Sequence, residues 1–179
     1  MSIKIIGCGK CGNNIVDYLQ QLNLPRVEYY SMNLSSKNEK EYQIENTFSL
    51  DEMPKNYRVP FLKGILFDAK PCFILAGLGG KTGSQLVIEL TEIANLLNIK
   101  PYIIVTTPFK FESHERKSQA NLVIEKLQKL MCNLYIISNE DITEKTYKFK
   151  GLIGSFAAIH QKFYEIISAK IVPIKYPFP

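Results

Sequence analysis

The chain has 179 residues, 46% of them hydrophobic, which is enough for one domain with its own core and without disulfides or a structural metal. A net charge of +5, from 22 Lys and Arg against 17 Asp and Glu, is mild and scattered along the sequence, so a nucleic-acid partner is not indicated. No run of about 18 apolar residues occurs, and MSIKIIG opens without a basic or long apolar leader, so no membrane partner is expected and the chain reads as cytoplasmic.

Short β-branched or aromatic runs recur along the chain: SIKIIG at 2–7, RVEYYSMN at 26–33, CFILAGL at 72–78, PYIIVTT at 101–107 and NLYIIS at 133–138. Near-continuous apolar strands of this kind are buried on both faces, as in parallel sheets. Leu86, Leu90, Ile93 and Leu97 mark one helical stripe between them, and Ala120, Val123, Leu127 and Leu130 mark another. The alternation predicts an α/β fold, a doubly wound and mostly parallel sheet with helices on both faces. The segment from Ser35 to about Lys70 is less legible and is expected to hold an excursion with a short helix or an edge strand. Leu152, Phe156, Ile159, Phe163 and Ile166 predict a helix over about 152–167, largely buried. The expected organisation is one domain over 1–170 and a Pro-rich tail over 171–179.

Two glycine-rich turns carry the chemistry. The first, Gly7-Cys8-Gly9-Lys10-Cys11-Gly12-Asn13-Asn14, follows a strand and opens a helix, where glycines let the backbone approach a phosphate and free amides point at it. Taken alone it also fits the GxGxxG of NAD and FAD domains, which calls for an acidic residue after the second strand; Asn33 and Leu34 stand there. It could equally serve only to pack a helix on a strand. Cys8 and Cys11 form a CxxC without a second pair, which favours small residues in a tight loop over a zinc or redox role, and Cys72 and Cys132 complete no disulfide framework. The second turn, Ala76-Gly77-Leu78-Gly79-Gly80-Lys81-Thr82-Gly83-Ser84, again joins a strand to a helix. It is not a P-loop, because Leu75 occupies the place of that motif's first glycine. Two such turns after two parallel strands suggest one phosphate chain pinned from both sides, with Lys81, Thr82 and Ser84 adding charge and hydroxyl donors.

The paired turns resemble those of the FtsZ/tubulin superfamily. Gly7, Gly9, Gly12 and Asn14 match the GxGGxGxN loop, with Lys10 for a glycine; Gly79, Gly80, Thr82 and Gly83 match GGGTGTG, with Ser84 for threonine and Lys81 and Gln85 for glycines. Val105-Thr106-Thr107-Pro108-Phe109-Lys110-Phe111-Glu112 is similar to VTRPFxFEG, and Arg116 falls at the family's phosphate-proximal arginine. The resemblance spans roughly residues 3–167 and implies GTP or GDP as ligand and a role in cell division or filament assembly. It implies that Gly9, Lys10, Cys11, Gly12, Gly77, Gly79, Gly80, Lys81, Thr82, Gly83 and Ser84 surround the phosphates. Glu112 would touch the ribose, and Arg116 the phosphate or sugar. Asn14 and Asn139, the latter in ISNED, would lie near the base, Phe156 would stack on guanine, and His160 would stand where the family reads guanine with Asp or Asn.

The sequence departs from the pattern at informative places. Asn33-Leu34-Ser35 replaces NTD, so the carboxylate that faces the phosphate and metal region is a serine and the role of magnesium is left open. The glycine-rich loop around the γ-phosphate is not visible before CFILAGL, and ISAKIVPIKYPFP is not followed by the NxDxxD loop that positions the attacking water in a neighbouring subunit. The expectation is therefore a binder of GTP or GDP with little hydrolysis on its own, assembling with itself or with a full-length FtsZ/tubulin homologue. The alternatives are a non-catalytic capping or regulatory partner of such a homologue and, less favoured, a NAD or FAD oxidoreductase.

Overall fold

A computed structural model describes residues 2–35, 44–51 and 53–171, with backbone only at residues 55, 145–150 and 152. The elements run β1 (Ser2–Cys8), α1 (Gly9–Gln21), β2 (Val27–Asn33), β3 (Asn46–Ser49), α2 (Lys55–Leu66), β4 (Ala69–Gly77), α3 (Lys81–Leu96), β5 (Tyr102–Thr106), α4 (His114–Gln128), β6 (Asn133–Ile137) and α5 (Asn139–Ile171). All strand pairs are parallel, in the order β3-β2-β1-β4-β5-β6, which is the doubly wound sheet expected from the apolar runs. None of the described helices is long and apolar enough to cross a membrane.

Adjacent strand residues feed opposite cores, which explains why the central strands show no polar alternation. Ile6, Ile74 and Val105 pack with Leu62, Leu66, Leu86, Leu90, Val123 and Leu127 beneath α2, α3 and α4. Ile5, Phe73, Leu75 and Ile104 pack on the other face with Ile15, Val16, Leu19, Phe163 and Ile167 of α1 and α5. Lys4 is the exception on β1, its ammonium donating to the carbonyls of Ile65 at 2.8 Å and Phe67 at 3.1 Å, where a cation suits the carbonyl end of α2.

The segment between Ser35 and Lys70 supplies both of the elements considered for it: β3 is an edge strand on β2, and α2 follows with Pro60 inside it. The expected helix over 152–167 is the second part of α5, which runs on to Ile171 and joins the first part at Gly151, where φ is 62°. Its burial needs correction. Ile159, Phe163, Ile167 and Ile171 face the core, but Ile153 is 87% and Phe156 45% exposed, because the helix packs on the sheet along one stripe only. The Pro-rich tail lies outside the described residues beyond Ile171.

The chain reverses its winding at β1. β2 and β3 are laid down on one side, then β4, β5 and β6 on the other, so β1 and β4 are neighbours whose following helices leave on opposite faces. Cys8 pairs with Ala76, which brings the ends of these two strands, and both glycine turns, to one crevice. Open α/β sheets bind ligands at such a switch point.

Candidate functional site

A cavity of about 440 Å³ opens at this crevice, a size suited to a small-molecule ligand. Gly9, Lys10, Cys11 and Asn14 line it from α1, and Gly77, Gly80, Lys81, Thr82 and Gly83 from the β4–α3 turn. Glu112 and Arg116 close a third side, and Asn139, Phe156 and His160 of α5 a fourth. Gly12, Gly79 and Ser84 do not line it. Gly12 packs α1 against the carbonyl of Leu75, Gly79 holds a φ of 86° beside Pro108 and Arg116, and the Ser84 hydroxyl is buried behind the turn.

Both helices that point into the cavity start without a side-chain cap and without an acidic residue in the first turn, α1 after Cys8 and α3 after Gly80. In α3 the Ser84 N–H reaches the Gly80 carbonyl at 3.3 Å, and the amides of Lys81, Thr82 and Gly83 precede the first intrahelical bond. Helix α4 shows the contrast: the Ser113 hydroxyl accepts from the Arg116 N–H at 3.4 Å, and Glu115 sits in its first turn. Two uncapped N-termini converging on one cavity make an anion-binding geometry.

The polar groups sort into committed and uncommitted. Glu112 is spent on its own loop: Oε1 accepts from the Phe109 N–H at 2.8 Å and Oε2 lies 2.7 Å from Arg116 Nη1. Arg116 also donates from Nε to the Gly79 carbonyl at 3.4 Å, tying the β5–α4 loop to the second glycine turn. In contrast, the Oδ1 atoms of Asn14 and Asn139 are buried without a partner, and both residues line the cavity. An unmet buried acceptor is costly, so two of them on residues that line one cavity mark places where a donor is wanted.

His160 packs against Tyr18 with ring centroids 5.2 Å apart and planes tilted by 35°, and Phe156 meets Phe109 edge to face at 5.7 Å. Burial pushes the His160 imidazole below the ordinary histidine value of 6.5, so the neutral ring is favoured in the folded chain. Because the folded form resists protonation more than the unfolded one, this stability is present above the ordinary value and is lost as pH falls below it. Thermal unfolding followed from about pH 5 to pH 7 should show a shallower slope for His160→Gln than for the parent, and equal slopes would exclude this assignment.

Several lining residues received no role from the sequence: Cys8, Ile15, Leu78, Thr106, Thr107, Pro108, Phe109 and Ile159. Thr106 ends β5, the strand next to β4, and 107–109 follow it; they fall in the run similar to VTRPFxFEG, which is the signal that could have placed them. Cys8 and Cys11 are free thiols. Burial, and then the neighbouring Cys72, push the Cys8 thiol far up; burial of the Sγ atom raises Cys11 as well, partly offset by Thr106 Oγ1 at 3.8 Å. Among the described residues no three His, Cys, Asp or Glu side chains gather as a metal site.

The chain is 29% identical to the cell division protein FtsZ of Buchnera aphidicola subsp. Baizongia pistaciae over 170 residues, covering 86% of this chain and 44% of that protein. It thus spans less than half the length of that curated relative. The FtsZ dimer of M. jannaschii shares the fold with a TM-score of 0.76 at 21% identity, over 89% of this chain and 51% of that one. CetZ2 of Haloferax volcanii, a GTPγS-bound protofilament, does so with a TM-score of 0.74 at 17% identity, over 93% and 57% of the two chains. No protein-family model matches the chain.

Proposed function

We propose that this chain, which resembles the FtsZ/tubulin superfamily in sequence and in fold, binds GTP or GDP in the cavity at the switch point and takes part in filament assembly or cell division. The observation that carries the reading is the convergence of two uncapped helix N-termini on one cavity, whose lining includes two residues with unpartnered amide oxygens. The helix ends suit a phosphate chain. The Asn14 and Asn139 oxygens suit the ring N–H and amino group of guanine, which adenine does not offer together, and Phe156 offers an exposed aromatic face for stacking.

Turnover within this cavity is expected to be low. General-base catalysis needs a group free to take a proton from water, and Glu112, the carboxylate lining the cavity, has both oxygens engaged. An assembling or capping role beside a longer homologue is compatible with that restraint. A dinucleotide oxidoreductase finds no support at the end of β2, where Asn33 Oδ1 accepts from Asn13 Nδ2 at 3.3 Å and Asn33 does not line the cavity.

Calorimetry with GTP, GDP, ATP and NAD tests the reading, with heat expected from the two guanine nucleotides. No binding of either by folded protein at about millimolar concentration would refute it. Asn139→Leu should weaken GTP by about tenfold, leave ATP unchanged and keep the unbound chain as stable, since it removes an unmet buried acceptor. Equal losses for both nucleotides would count against a base-reading role.

A further inference from the structure

The resemblance to FtsZ implies a divalent cation beside the phosphates, and the donor set of this cavity can be tested against one. Magnesium takes oxygen ligands, with one or two carboxylates besides the phosphates. Glu112 lines the cavity with both oxygens committed to Phe109 and Arg116, Ser35 stands where the family's carboxylate is expected, and no three metal-binding side chains gather among the described residues. These residues do not fit a metal.

The cavity instead carries ammonium groups that the family pattern lacks. Lys10 lies in the first turn of α1 and Lys81 is the first residue of α3; both are exposed, both line the cavity, and neither is ion-paired among the described residues. Cations at helix N-termini are disfavoured by the helix dipole, and neither helix has an acidic residue in its first turn to offset this. The turns that bear the two lysines abut: a Cβ on Gly9 would lie 3.3 Å from Thr82 Cβ. An anion held between them would relieve both.

We propose that Lys10 and Lys81 neutralise the nucleotide's phosphates from two sides in place of a divalent cation, so that guanine-nucleotide binding by this chain is independent of magnesium. The inference rests on reading the cavity as a nucleotide site. An ammonium and a metal ion compete for the same phosphate oxygens, and both lysines line the cavity that would hold them.

The test is calorimetric titration of the full chain with GTP and GDP in excess EDTA and in excess magnesium. Wild-type dissociation constants should agree within about threefold between the two media. In the Lys10→Gln/Lys81→Gln double variant, affinity in EDTA should fall about 100-fold, and magnesium should restore at least about tenfold of it, a response that a merely structural role would not produce. Wild-type affinity that rises tenfold or more with magnesium overturns the proposal while leaving the nucleotide site standing, as does a double variant that binds as well as the parent in EDTA. No binding in either medium refutes the nucleotide reading itself. The single variants, checked by thermal unfolding, replace the double one should it not fold.

Discussion

Replacing Gly12 with alanine is expected to cost roughly 2–3 kcal/mol of stability, the scale of an overpacked core, and to lower the unfolding midpoint by about 5–10 °C. A Cβ at this position would stand 2.3 Å from the Leu75 carbonyl oxygen, 3.1 Å from its carbon and 3.2 Å from the Gly7 carbonyl carbon. These are backbone atoms of the two central strands. Gly7 pairs with Leu75, and Leu75 pairs in turn with Ile104, so neither can retreat without breaking the ladder. Helix α1 would have to lift from the sheet, and with it Ile15, Val16 and Leu19 from the core. Gly64 sets the contrast, being exposed within α2 with nothing within 4 Å of its would-be Cβ. Alanine there should stabilise by about 0.5–1 kcal/mol through helix propensity. Denaturant unfolding of the two variants checks both signs, and a Gly12→Ala midpoint near that of the parent would show that this close approach is not a constraint.

The central sheet was legible because burial on both faces writes itself as continuous apolar runs, as in CFILA and YIIV. The edge was not. β3 is four half-buried residues with polar Asn46, Thr47 and Ser49, and α2 contains Pro60, so neither shows the periodicity of its own type. The two glycine turns could be read as phosphate turns, but their meeting depends on β1 and β4 being neighbours, a fact of sheet order rather than of local sequence. Asn139 and His160 come from a distant helix and were named only through the resemblance. Glu112 and Arg116 were given to the ribose and the phosphate or sugar through the resemblance, and the structure shows the two paired, lining the cavity and bracing the second turn, with the Glu112 side chain only 16% exposed. Gly12, grouped with the phosphate-facing glycines by motif, packs helix on strand instead, since three glycines in one motif answer to different neighbours.

Gly9→Ala should reverse the balance found for Gly12, costing more in binding than in folding. Gly9 holds a φ of 68°, so a side chain there carries the strain of the left-handed region, about 1–2 kcal/mol. The added Cβ would lie 3.0 Å from the Gly83 amide nitrogen, in the crevice between the turns. That amide is one of those at the start of α3 left without an intrahelical partner, and a methyl group beside it keeps a phosphate oxygen from reaching it. A hydrogen bond from an amide to a charged oxygen is worth about 1.5–3 kcal/mol, so GTP and GDP affinity should fall about 10- to 100-fold in the folded variant. Gly12→Ala, measured where it is still folded, should lose less affinity than Gly9→Ala for a larger loss of stability, because its methyl group points into the sheet and reaches the cavity only through the displacement of α1. The pair of variants therefore separates two uses of glycine within one turn. Should Gly9→Ala lose stability yet bind GTP as the parent does, the first turn would be a packing device, and the phosphate would have to rest on the β4–α3 turn alone.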